Sequence, residues 1–211
     1  MQYRTAWYMM HRIREMWGRE DFTLANTVEV DETDVDGKER NKHAAKRLIA
    51  GRVTVGKTAV IGIRDRGGKI KAAPVERTNA SELVGFVEEL IELGSQVYTD
   101  SATAYRNLNA QYGHEAFAHR ATEDVRGLVH TNGIESTRIL LTRTITGTWH
   151  HASPKPLGQY VNKFAFRLSE GKVEVDVLDK KESSMQQISG MRISYEALAA
   201  DNWLYSEVQS V

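Results

Sequence analysis

Residues 3–17 place Trp7, Met10, Ile13 and Met16 or Trp17 at helical spacing, with Arg4, His11, Arg12 and Arg14 falling largely elsewhere. That spacing predicts an amphipathic helix, stopped at Gly18. The period then shortens to two. Val28 and Val30 alternate with Glu29 and Asp31, predicting a strand over 27–33 that ends in acids. A more buried strand is expected over 53–65 and a third over 69–76, with Arg66-Gly67-Gly68-Lys69 turning between them as a hairpin. Leu83, Val84, Val87, Leu90 and Ile91 share one face of a helix over 81–93, with Asn79 and Ser81 as candidate caps and Gly94 as its end. A strand over 95–99 running into Asp100, a short helix near 102–112 and a strand near 115–118 follow. Further helices are predicted from Asn132 to about Ile145 and over 157–168. The tail 172–211 offers a strand-like piece, KVEVDVLD, and a helix at 194–204. A meander of three strands followed by alternating strands and helices predicts an α/β chain with a mixed sheet and helices packed on it.

Composition narrows the class. The 211 residues are 41% hydrophobic and 27% charged with three prolines, a globular balance and long enough for one core. Formal net charge is zero, which excludes a uniformly basic nucleic-acid binder but leaves local patches open. With no cysteine, disulfides and thiolate zinc sites are excluded and a cytosolic setting is the easier reading. His11, Arg12, Arg14 and Glu15 break any signal-peptide core, and nothing approaches an uncharged membrane span.

The chemistry lies where strands end. Asp31, Glu32, Asp34 and Asp36 crowd the end of the first strand, Asp100 ends the fourth, and Asn132 and Glu135 share a face in the first turn of a later helix. Carboxylates at the ends of neighbouring strands can share a hard cation such as magnesium. A pair of such ions suits phosphodiester cleavage, because the anionic substrate repels a bare nucleophile. The plainer alternative is that these acids are turn residues, as in Asp34-Val35-Asp36-Gly37. A basic run directly after them, Lys38, Arg40, Lys42, His43, Lys46 and Arg47, would hold a polyanion over the acids; its plainer alternative is a solvated loop. His114, His119, His130, His150 and His151 match no closed zinc pattern, with His130 a polar group near the site and His150 and His151 loop residues touching phosphate. Trp7, Trp17, Trp149 and Trp203 are scattered and read as packing groups.

Taken in order, VEVDET with GKERNKH, VYTDSATAY, HTNGIES and GTWHHASPKPLGQYVNKFAFR resemble the transposases of bacterial insertion sequences of the ISXO-like group, over roughly residues 1–168. MRISYEAL at 191–198 resembles their closing segment. The resemblance implies a ribonuclease-H-like mixed five-stranded sheet flanked by helices, and DNA cleavage and strand transfer dependent on Mg2+ or Mn2+. By position, Asp31 and Asp100 become the first two acids of the catalytic and metal-binding triad. The third is Glu135 or Asn132, with Glu135 favoured. The resemblance also implies DNA contacts from Arg138, Arg143 and His150 beside the basic run, and a homodimer or higher assembly on transposon-end inverted-repeat and target DNA. The setting implied is the bacterial cytoplasm and nucleoid, with no membrane.

It further implies three segments: 1–20 as a partial helix-turn-helix, 25–170 as the catalytic domain and 171–211 as a tail. Such proteins usually carry a cysteine zinc ribbon and a complete helix-turn-helix ahead of the catalytic domain, so a copy truncated at its N-terminus is expected. The chain departs from the pattern at Thr142 (usually Lys), Asp36-Gly37 (usually Gly-Gly), Lys163 (usually Glu) and near Ser169 (usually Asn). Those departures raise the alternative of a catalytically inactive remnant that binds DNA or dimerises.

Overall fold

The computed structural model describes residues 2–18, 22–35, 57–100, 103–117, 131–149 and 154–169, together with residues 182 and 186. The elements are α1 (Tyr3–Trp17), β1 (Thr27–Val35), β2 (Thr58–Asp65), β3 (Ile70–Val75), α2 (Ala80–Leu90), β4 (Gln96–Asp100), a 3-10 helix (Thr103–Ala110), β5 (Gly113–Phe117), α3 (Asn132–Thr144) and α4 (Pro154–Ser169). A wide π turn, Ile145–Trp149, follows α3. The basic run from Lys38 to Arg47, His119, His130, His150, His151, Trp203 and the predicted tail elements lie outside the described residues.

The five strands form one sheet in the order β3-β2-β1-β4-β5. β1 runs antiparallel to β2 and parallel to β4; β2–β3 is antiparallel and β4–β5 parallel. This is the ribonuclease-H-like mixed sheet that the sequence motifs implied. Alternation along β1 decides what each helix covers. Val28 and Val30 pack with Leu83 and Val87 of α2 and with Tyr105 of the 3-10 helix. Val35, on the opposite face, packs with Leu141 and Ile145 and with Leu157, Val161 and Phe164 of α4. The sheet is thus a middle layer with a hydrophobic core on each side.

Some local expectations shift. The helix forecast to reach Gly94 stops at Leu90, because Ile91 turns extended to bridge Leu24 beside the sheet. Gly94 instead takes a positive φ of 83° in the turn into β4. Asn79 alone provides the cap, its side chain accepting from the Glu82 N–H at 2.9 Å. β1 also outlasts its forecast end: Asp34 and Val35 stay paired with β2 instead of turning. At the N-terminus, α1 lies along α4. Trp17 stacks on Phe166 with ring centroids 5.0 Å apart, Trp7 packs on His11, and His11 Nδ1 donates to Gln159 Oε1. Trp149 packs on Tyr160 of α4, so all three described tryptophans are packing groups.

Candidate metal and nucleic-acid site

The parallel pairing of β1 with β4 ends at Val30 and Thr99. The next residues on the two strands are Asp31 and Asp100, so their carboxylates leave the sheet side by side. Asp31 therefore does not end its strand, as the sequence pattern implied. It sits where β1 parts from β4 while still paired with Gly62 of β2. Opposite Asp31, Gly62 lets α3 lie close: a Cβ there would sit 3.2 Å from Ile134 Cδ1. Glu135 and Arg138, three residues apart and so on one helical face, look back toward the strand ends.

Asp31, Asp100 and Glu135 line one cavity of about 100 Å³ together with Val30, Thr131 and Arg138. Asn132 is exposed and is not among the residues lining it. Arg138 Nε lies 3.5 Å from Asp31 Oδ2. The Thr131 hydroxyl donates to Glu135 Oε1 at 3.2 Å. Burial lifts the Asp31 carboxyl to about 6; Arg138 pulls it down, while Asp100 and Glu135 push it up. Glu32 points to the other face of β1, where it accepts from the Tyr105 hydroxyl. Burial, then Asp100 and Asp31, raise its carboxyl to about 7. Burial, with neighbouring negative charge, raises both carboxyls and marks a place that favours a positive charge.

The donors suit magnesium or manganese in kind, being hard carboxylate oxygens on adjoining elements. Their spacing is open: among the described residues, no group of three or more His, Cys, Asp or Glu is gathered closely enough to hold a metal ion. His114 takes no part. It is half-buried beside β4, 2.9 Å from the Thr99 hydroxyl, and burial lowers its pKa.

The sequence motifs and this sheet meet in the family comparison, where residues 23–169 match the ISXO2-like transposase domain. The chain belongs to the ISXO2-like transposase family. A search of curated proteins finds no match. Among solved structures, the magnesium complex of the HTLV-2 integrase catalytic core domain, in its dimeric form, matches at 15% identity. The match covers 74% of this chain and 90% of that one, with a TM-score of 0.41. A simian T-cell lymphotropic virus intasome in complex with PP2A regulatory subunit B56 gamma matches at 12% identity over 92% of this chain and 61% of that one, also at a TM-score of 0.41.

In this transposase-family domain, Arg138 and Arg143, both expected on DNA, are exposed on α3, with Arg138 ion-paired to Asp31 as well. Thr142, where a lysine was expected, is exposed and its hydroxyl donates to the Arg138 carbonyl at 3.0 Å. Sequence reasoning missed Thr131, which lines the cavity, and Glu29 and Arg64, which bond to the backbone at the start of α3. Glu29, which alternates with Val28 and Val30, is 3% exposed because α3 covers that face. The readable signal was its period-two relation to Asp31, which puts both acids under whatever covers the sheet.

Proposed function

We propose that this domain cleaves and joins DNA at a site formed by Asp31, Asp100 and Glu135. The observation that supports this best is that those three carboxylates, and not Asn132, line one cavity in a transposase-family chain. Bound there, magnesium or manganese would activate a water or a 3′-hydroxyl for attack on phosphorus and stabilise the departing oxygen. The protein's own groups prepare the ground. Thr131 steadies Glu135 through its hydroxyl, and Arg138 offers a guanidinium at the rim, 47% exposed, for a phosphate oxygen. Residues 25–170 act as the catalytic unit, 1–20 as part of a DNA-binding segment and 171–211 as a tail. Lys38, Arg40, Lys42, His43, Lys46, Arg47, Arg143 and His150 extend the DNA contact. Transposon-end and target DNA are the partners, held by a dimer or larger assembly in the bacterial cytoplasm. No helix among the described residues is long and apolar enough to cross a membrane.

The test is strand transfer in Mg2+ from DNA carrying the element's inverted repeats into a target plasmid. Joined products are expected, abolished by chelation and reduced at least ~100-fold in Asp31→Asn and Asp100→Asn. Joined products persisting in either variant would refute the proposal. A second reading, a non-catalytic remnant that binds DNA or dimerises, draws on the Asp31–Arg138 ion pair and the open spacing of the acids. It predicts retention of inverted-repeat DNA with no cut.

A further inference from the structure

The peptide unit joining Gly133 to Ile134 is gripped at both ends from the sheet. Glu29 of β1 accepts from the Ile134 N–H through Oε2 at 2.8 Å. Arg64 of β2 donates to the Gly133 carbonyl at 2.8 Å and to the Thr137 hydroxyl at 3.2 Å. Glu29 and Arg64 stand opposite each other in the β1–β2 register, so one cross-strand pair supplies both grips. Thr131, the residue at the cap position, makes no side-chain cap. A free amide at this helix start is therefore satisfied by a buried acid from a distant strand. The fit is close: a Cβ on Gly133 would lie 2.7 Å from Glu29 Oε2, which only glycine avoids without a shift. The next residue after this clamped peptide is Glu135.

We propose that Glu29 and Arg64 are positioning residues that fix the first turn of α3, and through it the Glu135 carboxylate, against Asp31 and Asp100. The proposal rests on the reading of Asp31, Asp100 and Glu135 as the metal-binding acids. Glu29 is not among the residues lining the cavity; its role is the orientation of one that is.

Two readouts test it on the full chain. The first is metal-free: amide exchange at Ile134, followed by NMR. Glu29→Ala should speed it at least tenfold, whereas Glu29→Gln, which keeps an acceptor oxygen, should retain protection. The second is the Mg2+ concentration that half-saturates DNA cleavage. It should rise about 10- to 100-fold in Glu29→Ala and in Arg64→Ala, the loss usual for groups that orient metal ligands, and return towards wild type in Glu29→Gln. Melting curves select variants that remain folded. If Glu29→Ala or Arg64→Ala stays folded with unchanged metal dependence, the positioning role is overturned while the metal site stands. If Glu29→Gln falls as far as Glu29→Ala in both readouts, the hydrogen bond is not the agent and the proposal fails. If the wild type neither binds metal nor cleaves, the metal-site reading fails and takes the positioning role with it.

Discussion

Asp31 keeps its charge against its surroundings. Its side chain is 14% exposed and stands near Asp100 and Glu135, with Arg138 as its counter-charge. A carboxyl raised from 3.8 to about 6 binds more protons folded than unfolded, so its ionisation destabilises the fold fully above pH 6 and not at all below the unfolded value. Glu32, raised to about 7, acts in the same sense. Asp31→Asn should therefore stabilise the metal-free protein by about 2 kcal/mol at pH 8, several degrees in melting temperature, with the gain shrinking towards pH 4. Melting curves of wild type and variant across that range check this; a gain that does not change with pH would remove ionisation of the buried carboxyl as its cause. These acids stood out in sequence as carboxylates at the forecast ends of strands and the start of a helix, although Asp31 lies inside β1. Their partners did not. Thr131 and Arg138 meet the acids only once α3 crosses the sheet, and no local pattern encodes that crossing.

At the scale of elements, the site depends on how closely α3 approaches β1 and β2. Gly62 sets that distance, its absent side chain leaving room for Ile134. Gly62→Val should destabilise the fold by about 1–3 kcal/mol through overpacking and should weaken metal-dependent cleavage more than DNA binding, because it lifts Glu135 away from the strands. Urea denaturation and a DNA-binding titration separate the two effects; a variant with native stability would show that the helix was not seated on Gly62. The strands and helices themselves were readable from periodicity, and α1 and α3 lie close to where spacing put them. Misreadings arose where tertiary pairing overrode local preference, as when Leu24 drew Ile91 out of α2 and β2 held Asp34 in the sheet. The contact made by Glu29 is one that no local pattern encodes. An acid in an alternating strand looks solvent-facing until the helix that covers it supplies an amide.

For the whole molecule, α1 is part of the packed body rather than an isolated arm. Its seam with α4 buries His11, whose Nε2 has no hydrogen-bond partner among the described residues. Burial lowers the His11 pKa below 6.5, Gln159 raises it and Arg14 lowers it further. A lowered histidine pKa means that the unfolded chain binds the proton more readily, so this seam loses stability as pH falls below 6.5, opposite in sign to Asp31. Trp7, Trp17 and Trp149 all lie at or beside the seam, so tryptophan fluorescence should report its loosening on the acid side. His11→Leu should start from a different stability but show a flatter acid limb. An unchanged limb would place the acid sensitivity elsewhere.

Asp31, Asp100 and Glu135 together should make DNA cutting depend on a divalent ion. The most direct measurement is nicking of supercoiled plasmid against Mg2+ concentration, for the wild type, Asp100→Asn, Glu135→Gln and Asn132→Ala. Nicking by the wild type and by Asn132→Ala, with Asp100→Asn and Glu135→Gln slower by at least ~100-fold, is the predicted result. Full activity in Asp100→Asn or Glu135→Gln, or nicking that survives chelation, would contradict it.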